Sequence, residues 1–314
     1  MEFFHSESKI DFMGQSKFTA IFSGIVLSLS LGFVFVMGLN FGLDFTGGTL
    51  LEVRLANDAD VNKLRENLEG TDFSQAKITN YGSRKDVLIK IPNKNKLSNE
   101  VLAQRLEASL QGESAKVMRA EFVGSEVGSE LAEQGFLAMM VAMLAILVYI
   151  AFRFEYRFAL SSVLALLHDP IVILGFFAYF QIEFDLAALA AILAVIGYSL
   201  NDTIVVFDRV RENFKKMRNA KPATVINKSI NQTLSRTIMT SFLTLLVVLA
   251  LLLFGGDSLF SFSSALSIGV VMGTYSSIYI AGSIALALGV TKEDLLPKPK
   301  KELDEMPYYK ASPQ

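Results

Sequence analysis

The residues best suited to chemistry lie in one segment near the middle of the chain. Residues 197–212 read GYSLNDTIVVFDRVRE, and Asp202 stands there inside an apolar run that starts near Leu186. Asn201 and Thr203 flank the carboxylate with further oxygen-bearing side chains. A carboxylate within a membrane-spanning helix costs a few kcal/mol to insert, so it is rare and usually faces a partner or a water-filled path. The segment therefore predicts movement of an ion or a proton rather than simple anchoring.

Arg236 is the predicted partner of this carboxylate. If the helix carrying Asp202 ended near Phe207, the carboxylate would lie ~7 Å inside that end, and Arg236 would lie ~4–5 Å inside the next apolar stretch. A neighbouring arginine keeps a carboxylate ionised, and its withdrawal favours protonation. We therefore predict a pair that takes up and releases a proton. The alternative is a shallow, solvated Asp202 beside an arginine that anchors its helix at the membrane interface.

A second intramembrane carboxylate follows His168 and precedes Pro170. Asp169 would lie ~16 Å from the cytoplasmic end of its apolar stretch, and Pro170 removes a backbone donor and can kink a helix. One interpretation is a second polar step on the same path. The other is a buried carboxylate that is hydrogen-bonded to a neighbouring helix.

The pair Gly47-Gly48 lies near the end of the segment FGLDFTGGT at residues 41–49. Glycine adopts backbone angles that other residues avoid, so the pair is a candidate hinge. A tight turn before a strand explains the same residues, and composition alone favours the turn.

The composition excludes several classes of function. The 314 residues include no cysteine and only two histidines, which are far apart in sequence, so disulfides, thiolate metal sites and a histidine-based zinc site are not expected. A net charge of −2 gives no indication of nucleic-acid binding. The sequence contains no Ser-His-Asp arrangement, P-loop or Gly-rich nucleotide fingerprint. We therefore predict a protein that is not an enzyme and that holds no metal or other cofactor.

Six apolar stretches must position these residues. A membrane-spanning helix needs about 20 mostly apolar residues. The stretches that meet this condition are 18–39, 136–152, 159–180, 186–207, 233–254 and 264–289.

The distribution of positive charge predicts the orientation of these spans. The connector 208–232 is basic, whereas the two turns on the opposite side hold no Lys or Arg. Positive loops stay in the cytoplasm. Both tails, 1–17 and 290–314, are therefore predicted to be cytoplasmic, and residues 40–135 to lie outside. The basic connector could also bind anionic lipid or a partner, although such a run is more often only the topology signal.

The segment outside the membrane reads as a folded domain. Its predicted strands and helices are β 49–56, α 60–69, β 76–81, β 87–91, α 98–110 and β 115–122, followed by a polar helix at 125–134 that leads into the second span. Asp58 or Asp60 is a candidate N-cap for the first helix and Ser98 for the second, with Gly82-Ser83 as a turn signal between the middle strands. The order β-α-β-β-α-β is the ferredoxin-like pattern. The predicted fold class is an α-helical polytopic membrane protein with six transmembrane helices and one ferredoxin-like α+β domain between the first two.

Three motifs together resemble the bacterial SecF family of protein-export membrane proteins. They are FGLDFTGGT at 41–49, GYSLNDTIVVFDRVREN at 197–213 and NQTLSRTI at 231–238. They occur in the family's order, and the resemblance covers the chain from the first span to the sixth. It implies a fold of the resistance-nodulation-division (RND) superfamily and a place in the bacterial inner membrane.

The resemblance also implies partners and a mechanism. Members of the family pair with SecD, a related six-span subunit, and associate with the SecYEG channel and often with YajC. They use the ion gradient to help pull secreted polypeptides outward after an ATP-driven motor has pushed them, and their outer domain is thought to move. In the family, the aspartate of the NDT motif and the arginine of the SRT motif lie on the ion path, and here these are Asp202 and Arg236.

The coupling ion and two rival functions stay open. The ion is H⁺ or Na⁺, and for Na⁺ the side chains of Ser199, Asn201 and Thr203 would supply some of the oxygen ligands. One rival is half of a lipid or small-molecule exporter of the same superfamily, against which the outer domain is small for a ligand tunnel. The other is a passive scaffold that stabilises the channel.

Overall fold

The computed structural model describes residues 8–81, 83–92, 99–110, 114–217 and 219–291. In chain order the elements are α1 (Ser16–Met37), β1 (Asn40–Phe41), α2 (Leu43–Thr46), β2 (Gly48–Arg54), α3 (Val61–Leu68), β3 (Lys77–Tyr81), β4 (Ser83–Pro92), α4 (Asn99–Ser109), β5 (Lys116–Val123), α5 (Ser125–Arg153), α6 (Tyr156–Phe180), β6 (Glu183–Phe184), α7 (Leu186–Lys216), α8 (Pro222–Phe254), α9 (Asp257–Tyr275), a π-helical turn (Ser276–Ile280) and α10 (Ala281–Ala287). The predicted tails fall partly outside the described residues, at 1–7 and 292–314, as do the predicted Gly82 turn position and Ser98 cap.

Six helices are long and apolar enough to cross a membrane, as predicted. They are α1, α5, α6, α7, α8 and a last span that joins α9, the π-helical turn and α10. Three of them, α6, α7 and the last span, are about half buried inside the protein, whereas α1, α5 and α8 are mostly exposed. The interior of the membrane part is therefore built by α6, α7 and the last span, which carry the polar residues singled out above.

The fourth and fifth spans run further than the sequence predicted. Helix α7 does not end near Phe207 but continues to Lys216, and α8 begins at Pro222, so most of the predicted connector 208–232 is helical. The extension of α7 is amphipathic, because Val210 and Phe214 are buried on its inner face. Proline at the first position of α8 is favoured because its fixed φ suits a helix start. Only residues 217–221 separate the two helices.

The domain outside the spans has the predicted β-α-β-β-α-β order. Its four strands form one antiparallel sheet in the order β3-β4-β2-β5. Helices α3 and α4 cover one face, where a separate hydrophobic core includes Leu51, Ile89, Leu64 and Leu106. Asp60, one of the two candidate caps, accepts hydrogen bonds from the backbone N–H of residues 62 and 63 and caps α3. We refer to β2 through β5, residues 48–123, as the extramembrane domain.

A short parallel β-ladder joins the two parts of the chain. β1, which follows α1, pairs with β6, which lies in the turn between α6 and α7. The backbone N–H of Gly42 also donates to the carbonyl of Phe184 at 2.8 Å. Asp44 in α2 accepts a hydrogen bond from the backbone N–H of Leu186 at 3.0 Å. The segment that leads from α1 into the extramembrane domain is therefore tied closely to the first residues of α7.

Candidate intramembrane ion-coupling site

Asp202 lies in the interior of the membrane part. Its side chain is on α7 and the residue is 2% exposed. Within the described residues, its Oδ2 atom is buried and has no hydrogen-bond partner. An unpaired, buried carboxylate oxygen is costly, so such a group is paired, hydrated or protonated when the protein functions. This burial argues against the alternative of a solvated acid, whereas the depth of Asp202 in the membrane stays a prediction.

Arg236 lies at the same level as Asp202 on the adjacent helix. Asp202 is 14 residues before the end of α7 and Arg236 is 14 residues after the start of α8, which is about 21 Å along each helix. The depths calculated from the sequence, ~7 Å and ~4–5 Å, assumed that α7 ended near Phe207 and that the next helix began at 233. Both helices extend beyond those points, and the two residues stay at similar distances from the ends that face each other along the chain. The arginine is exposed, and among the described side chains no ion pair joins it to Asp202. Its charge is nevertheless near enough to act on the carboxylate.

The two neighbours of Asp202 in sequence have different environments. Asn201 is exposed, whereas Thr203 is 3% exposed. The Thr203 hydroxyl is 3.0 Å from the hydroxyl of Ser277 in the last span. Of the three predicted oxygen donors, the structure therefore places Ser199 and Thr203 in the interior and leaves Asn201 on the surface of α7.

Asp169 is fully buried and well satisfied. Its Oδ2 atom accepts hydrogen bonds from Ser199 on α7 at 2.6 Å and from Ser276 in the π-helical turn at 3.0 Å. Its Oδ1 atom is 3.1 Å from Nδ1 of His168. Asp169 therefore joins three of the interior helices, whichever of the two predicted roles it has.

Two adjacent serines in the last span connect Asp169 to the turn that carries Asp202. Ser277 donates to the backbone carbonyl of Ser199 at 3.1 Å, in addition to its contact with Thr203. Gly273, one turn earlier, allows the close approach, because a Cβ there would lie 3.0 Å from Cβ of Ser199. Small residues such as Gly273, Ser276 and Ser277 in this span predict close helix packing, but the sequence analysis did not predict that the two serines contact Asp169 and Thr203.

The glycine pair stands at a tight turn into the extramembrane domain. Gly47 has φ +71° and Gly48 has φ +155°, both in regions that favour glycine. Gly48 is the first residue of β2 and pairs with Pro92 on one side and Val123 on the other. The local geometry is thus that of a turn leading into a central strand, and a hinge role stays a prediction.

A charged contact at the opposite end of α7 was also missed. Glu183 in β6 accepts from Lys77 at 2.8 Å and from Lys90 at 2.7 Å, and both lysines belong to the extramembrane domain. Burial raises the pKa of Glu183, but the two ammonium groups outweigh that effect and hold the pKa below its ordinary value. No sequence signal connects residues about 100 positions apart in this way.

Among the described residues, no group of three or more His, Cys, Asp or Glu side chains lies close enough together to bind a metal ion. The ligands available near Asp202 are hydroxyl and carbonyl oxygens, which suit Na⁺ or water and not a transition metal. The arrangement can hold a proton or a hard cation.

Comparisons with known proteins identify relatives along nearly the whole chain. A family model described as "Protein export membrane protein SecD/SecF, C-terminal" matches residues 103–291, and the "SecD/SecF GG Motif" model matches residues 32–59, which include the glycine pair. The chain is 47% identical to the protein translocase subunit SecF of Vibrio alginolyticus, over 96% of this chain and 98% of the relative. It is also 47% identical to SecF of Pseudomonas aeruginosa, with 95% and 98% covered.

Solved structures show the same fold. The crystal structure of SecDF, a translocon-associated membrane protein from Thermus thermophilus, is similar with a TM-score of 0.80 and 39% identity. That similarity covers 91% of this chain but 39% of the longer SecDF chain. A second SecDF structure, in a "Super-membrane-facing form", gives a TM-score of 0.70 over the same shares. With two near-full-length relatives and a family model that matches more than half of its residues, this chain belongs to the SecF family of protein translocase subunits.

Proposed function

We propose that this chain, in a complex with SecD, uses a proton or sodium gradient to assist late steps of protein export through the SecYEG channel. Ion binding at Asp202 would drive a movement of the extramembrane domain. The observation that carries this proposal is the buried Oδ2 atom of Asp202 without a partner in the described part of the chain, level with Arg236 on the next helix. The SecDF structures and the SecF relatives support the partner SecD, and the family resemblance supports SecYEG, YajC and secreted polypeptides.

The placement in the cell follows from the same proposal. The six spans lie in the bacterial inner membrane with both termini in the cytoplasm, because the short connection between α7 and α8 is flanked by basic residues. The extramembrane domain then lies in the periplasm, where secreted polypeptides emerge. The chain requires no cofactor, and H⁺ or Na⁺ is the transported species.

The proposed cycle begins with an ion that enters from the periplasm and neutralises Asp202. The attraction of the carboxylate for Arg236 then weakens, and α7 and α8 repack. Ser277 and Ser199 pass this change to Asp169, which acts as the second polar step between α6, α7 and the last span. One charge moving across 100 mV releases ~2.3 kcal/mol. That amount is enough to shift a two-state equilibrium about fiftyfold, and it sets the scale of the domain movement that one ion can drive.

The test compares Asp202→Asn with the matched control Asp208→Asn in membrane vesicles that contain the complete translocon. Asp208 lies on the same helix but forms an ion pair with Arg153 at 2.6 Å. We expect the Asp202 variant to assemble normally and to lose the part of export that depends on the gradient, while the control keeps it. Collapsing the proton and sodium gradients separately identifies the ion. Gradient-dependent export that survives Asp202→Asn refutes the proposal and favours a passive scaffold.

A further inference from the structure

The contact between Glu183 and the two lysines crosses from the membrane part to the extramembrane domain. Lys77 lies on β3 and Lys90 on the neighbouring strand β4, and both ammonium groups bind the one carboxylate. The Glu183 side chain is 14% exposed, and Lys90 is the more buried of the lysines. A carboxylate bound by two ammonium groups holds the sheet in place more firmly than a single surface ion pair would, because it constrains two neighbouring strands at once.

The Glu183 end of the contact is built into the start of α7. Asp185, two residues later, caps α7 by accepting from the backbone N–H of Ala188 at 2.8 Å. The same carboxylate accepts from the Ser261 hydroxyl at 2.8 Å, which adds α9. If Glu183 moves, the outer ends of α7 and of the last span are therefore expected to move with it. Asp202 lies 16 residues into α7, about 24 Å along the same rigid element.

The surroundings of the ion pairs leave the sheet free to separate. A cleft of about 730 Å³ opens beside them, between the exposed sheet face and the outer ends of α6, α8 and α9. Its lining includes Leu50 and Leu88 on the sheet and Phe180 and Phe260 on the spans. The apolar side chains on the two sides of this cleft are not packed against each other. Movement of the domain at this point therefore requires the ion pairs to break but does not disrupt a hydrophobic core.

We propose that Glu183 is a positioning residue, which docks the extramembrane domain on the outer end of α7 through Lys77 and Lys90 and thereby links domain position to the helix that carries Asp202. This inference rests on the proposed function and identifies the contact through which a change at Asp202 would move the extramembrane domain. In the docked state both lysines hold Glu183, and in the moved state they release it. Removing the carboxylate leaves two part-buried ammonium groups without their counter-charge, so the docked state is weakened relative to the moved state, in which both lysines are hydrated.

Spin labels on paired cysteines measure docking directly, since the chain has no cysteine of its own. One label goes on Asn67 in α3 and one on Phe254 at the outer end of α8, and both residues are exposed. With the full complex in lipid, we expect one narrow distance distribution for the otherwise unchanged chain. Glu183→Gln should broaden it, with the docked population falling about tenfold relative to the undocked one.

Charge reversal separates positioning from a general structural defect. Glu183→Lys combined with Lys77→Glu and Lys90→Glu should restore both the narrow distribution and gradient-dependent export. Because Glu183 lies outside the extramembrane domain, hydrogen exchange of the domain core in Glu183→Gln should match that of the unchanged chain. A distribution that stays narrow in Glu183→Gln, or a reversal that fails to restore docking, overturns the inference.

A different result would refute the proposed function. Asp202→Asn removes the charge at this position, as ion binding does, so it should shift the domain toward the moved state and remove the response of the distance distribution to the gradient. If that variant keeps gradient-dependent export, the coupling role of Asp202 is refuted, while the distance measurements still decide the role of Glu183.

Discussion

The junction between the first span and the extramembrane domain gives the sharpest test of local geometry. Gly48 has φ +155°, and a Cβ at this position would lie 2.5 Å from the carbonyl oxygen of Ile91 and 2.5 Å from the Leu43 side chain. The Ile91 carbonyl belongs to the paired strand β4, so it cannot move without opening the ladder. Gly38 is a matched control, because it has φ +71° and no atom within 4 Å of a built Cβ.

The expected size of the effect follows from these two positions. A non-glycine residue in such a backbone region costs on the order of 1–3 kcal/mol, which is about a 5- to 150-fold change in an equilibrium constant. Gly38→Ala should show this strain alone, as faster exchange near the end of α1. Gly48→Ala adds the overlap with the Ile91 carbonyl, so its effect should exceed that of the control.

Hydrogen exchange of the backbone amides in β2 and β4 measures this opening directly. We expect Gly48→Ala to accelerate exchange around the pairs Gly48↔Pro92 and Thr49↔Ile91 by more than about 100-fold, and Gly38→Ala to leave that ladder unchanged. Equal effects of the two variants, or an unchanged ladder in Gly48→Ala, would refute the argument from close approach. An unchanged ladder combined with lost gradient-dependent export would instead support the hinge hypothesis for Gly47 and Gly48.

Three further predictions concern charged and polar contacts. The pKa of Glu183 is lowered in the docked state, so docking is fully present above its ordinary value near 4.5 and should be lost as pH falls below it, which the spin-label distances will show. Glu183→Gln should remove most of that pH dependence. A small remainder is expected because Asp185, Asp257 and Asp44 also lie near this region. Asp169→Leu removes the carboxylate that accepts from Ser199 and Ser276 and should lower the free energy of unfolding by about 1–3 kcal/mol, whereas Asp169→Asn should cost less, as thermal unfolding in lipid will show. Asn231→Ala removes three contacts with residues 8–10 and should increase their proteolysis, with Lys228→Ala as an unaffected control.

Much of the architecture was predictable because it rests on local patterns. The six spans follow from length and hydropathy, and the extramembrane domain follows from alternating apolar residues broken by turn signals. Asp60 shows the same principle, since a cap acts on the two or three residues that follow it. The helix ends were less predictable. Charged residues after Phe207 indicated the end of a span, but Val210 and Phe214 continue the buried face of α7 into the region predicted as a connector.

Contacts between distant residues depended on tertiary geometry that no local pattern encodes. Asp169 and Ser276 are more than 100 positions apart, and their contact requires the rotation of three helices about their axes. The π-helical turn widens the last span at this point, and such turns are often found at functional sites. The ion pairs of Glu183 depend in the same way on how the sheet is placed above the span ends.

The two intramembrane carboxylates differ in a way that assigns them different roles. Asp169 is satisfied by donors from two other elements and from its own neighbour, so a change at this residue would disturb three helices at once. Asp202 has a buried oxygen without a partner in the described residues, so it can change its charge or bind an ion without first breaking a hydrogen bond at that atom. Ser199 lies three residues before Asp202 on the same face of α7 and donates to Asp169. Asp202, the proposed ion-binding residue, is therefore one helical turn from Ser199, which contacts the carboxylate that joins the helices. Under the proposed function, this separation allows a small change of charge at Asp202 to alter packing without dismantling it.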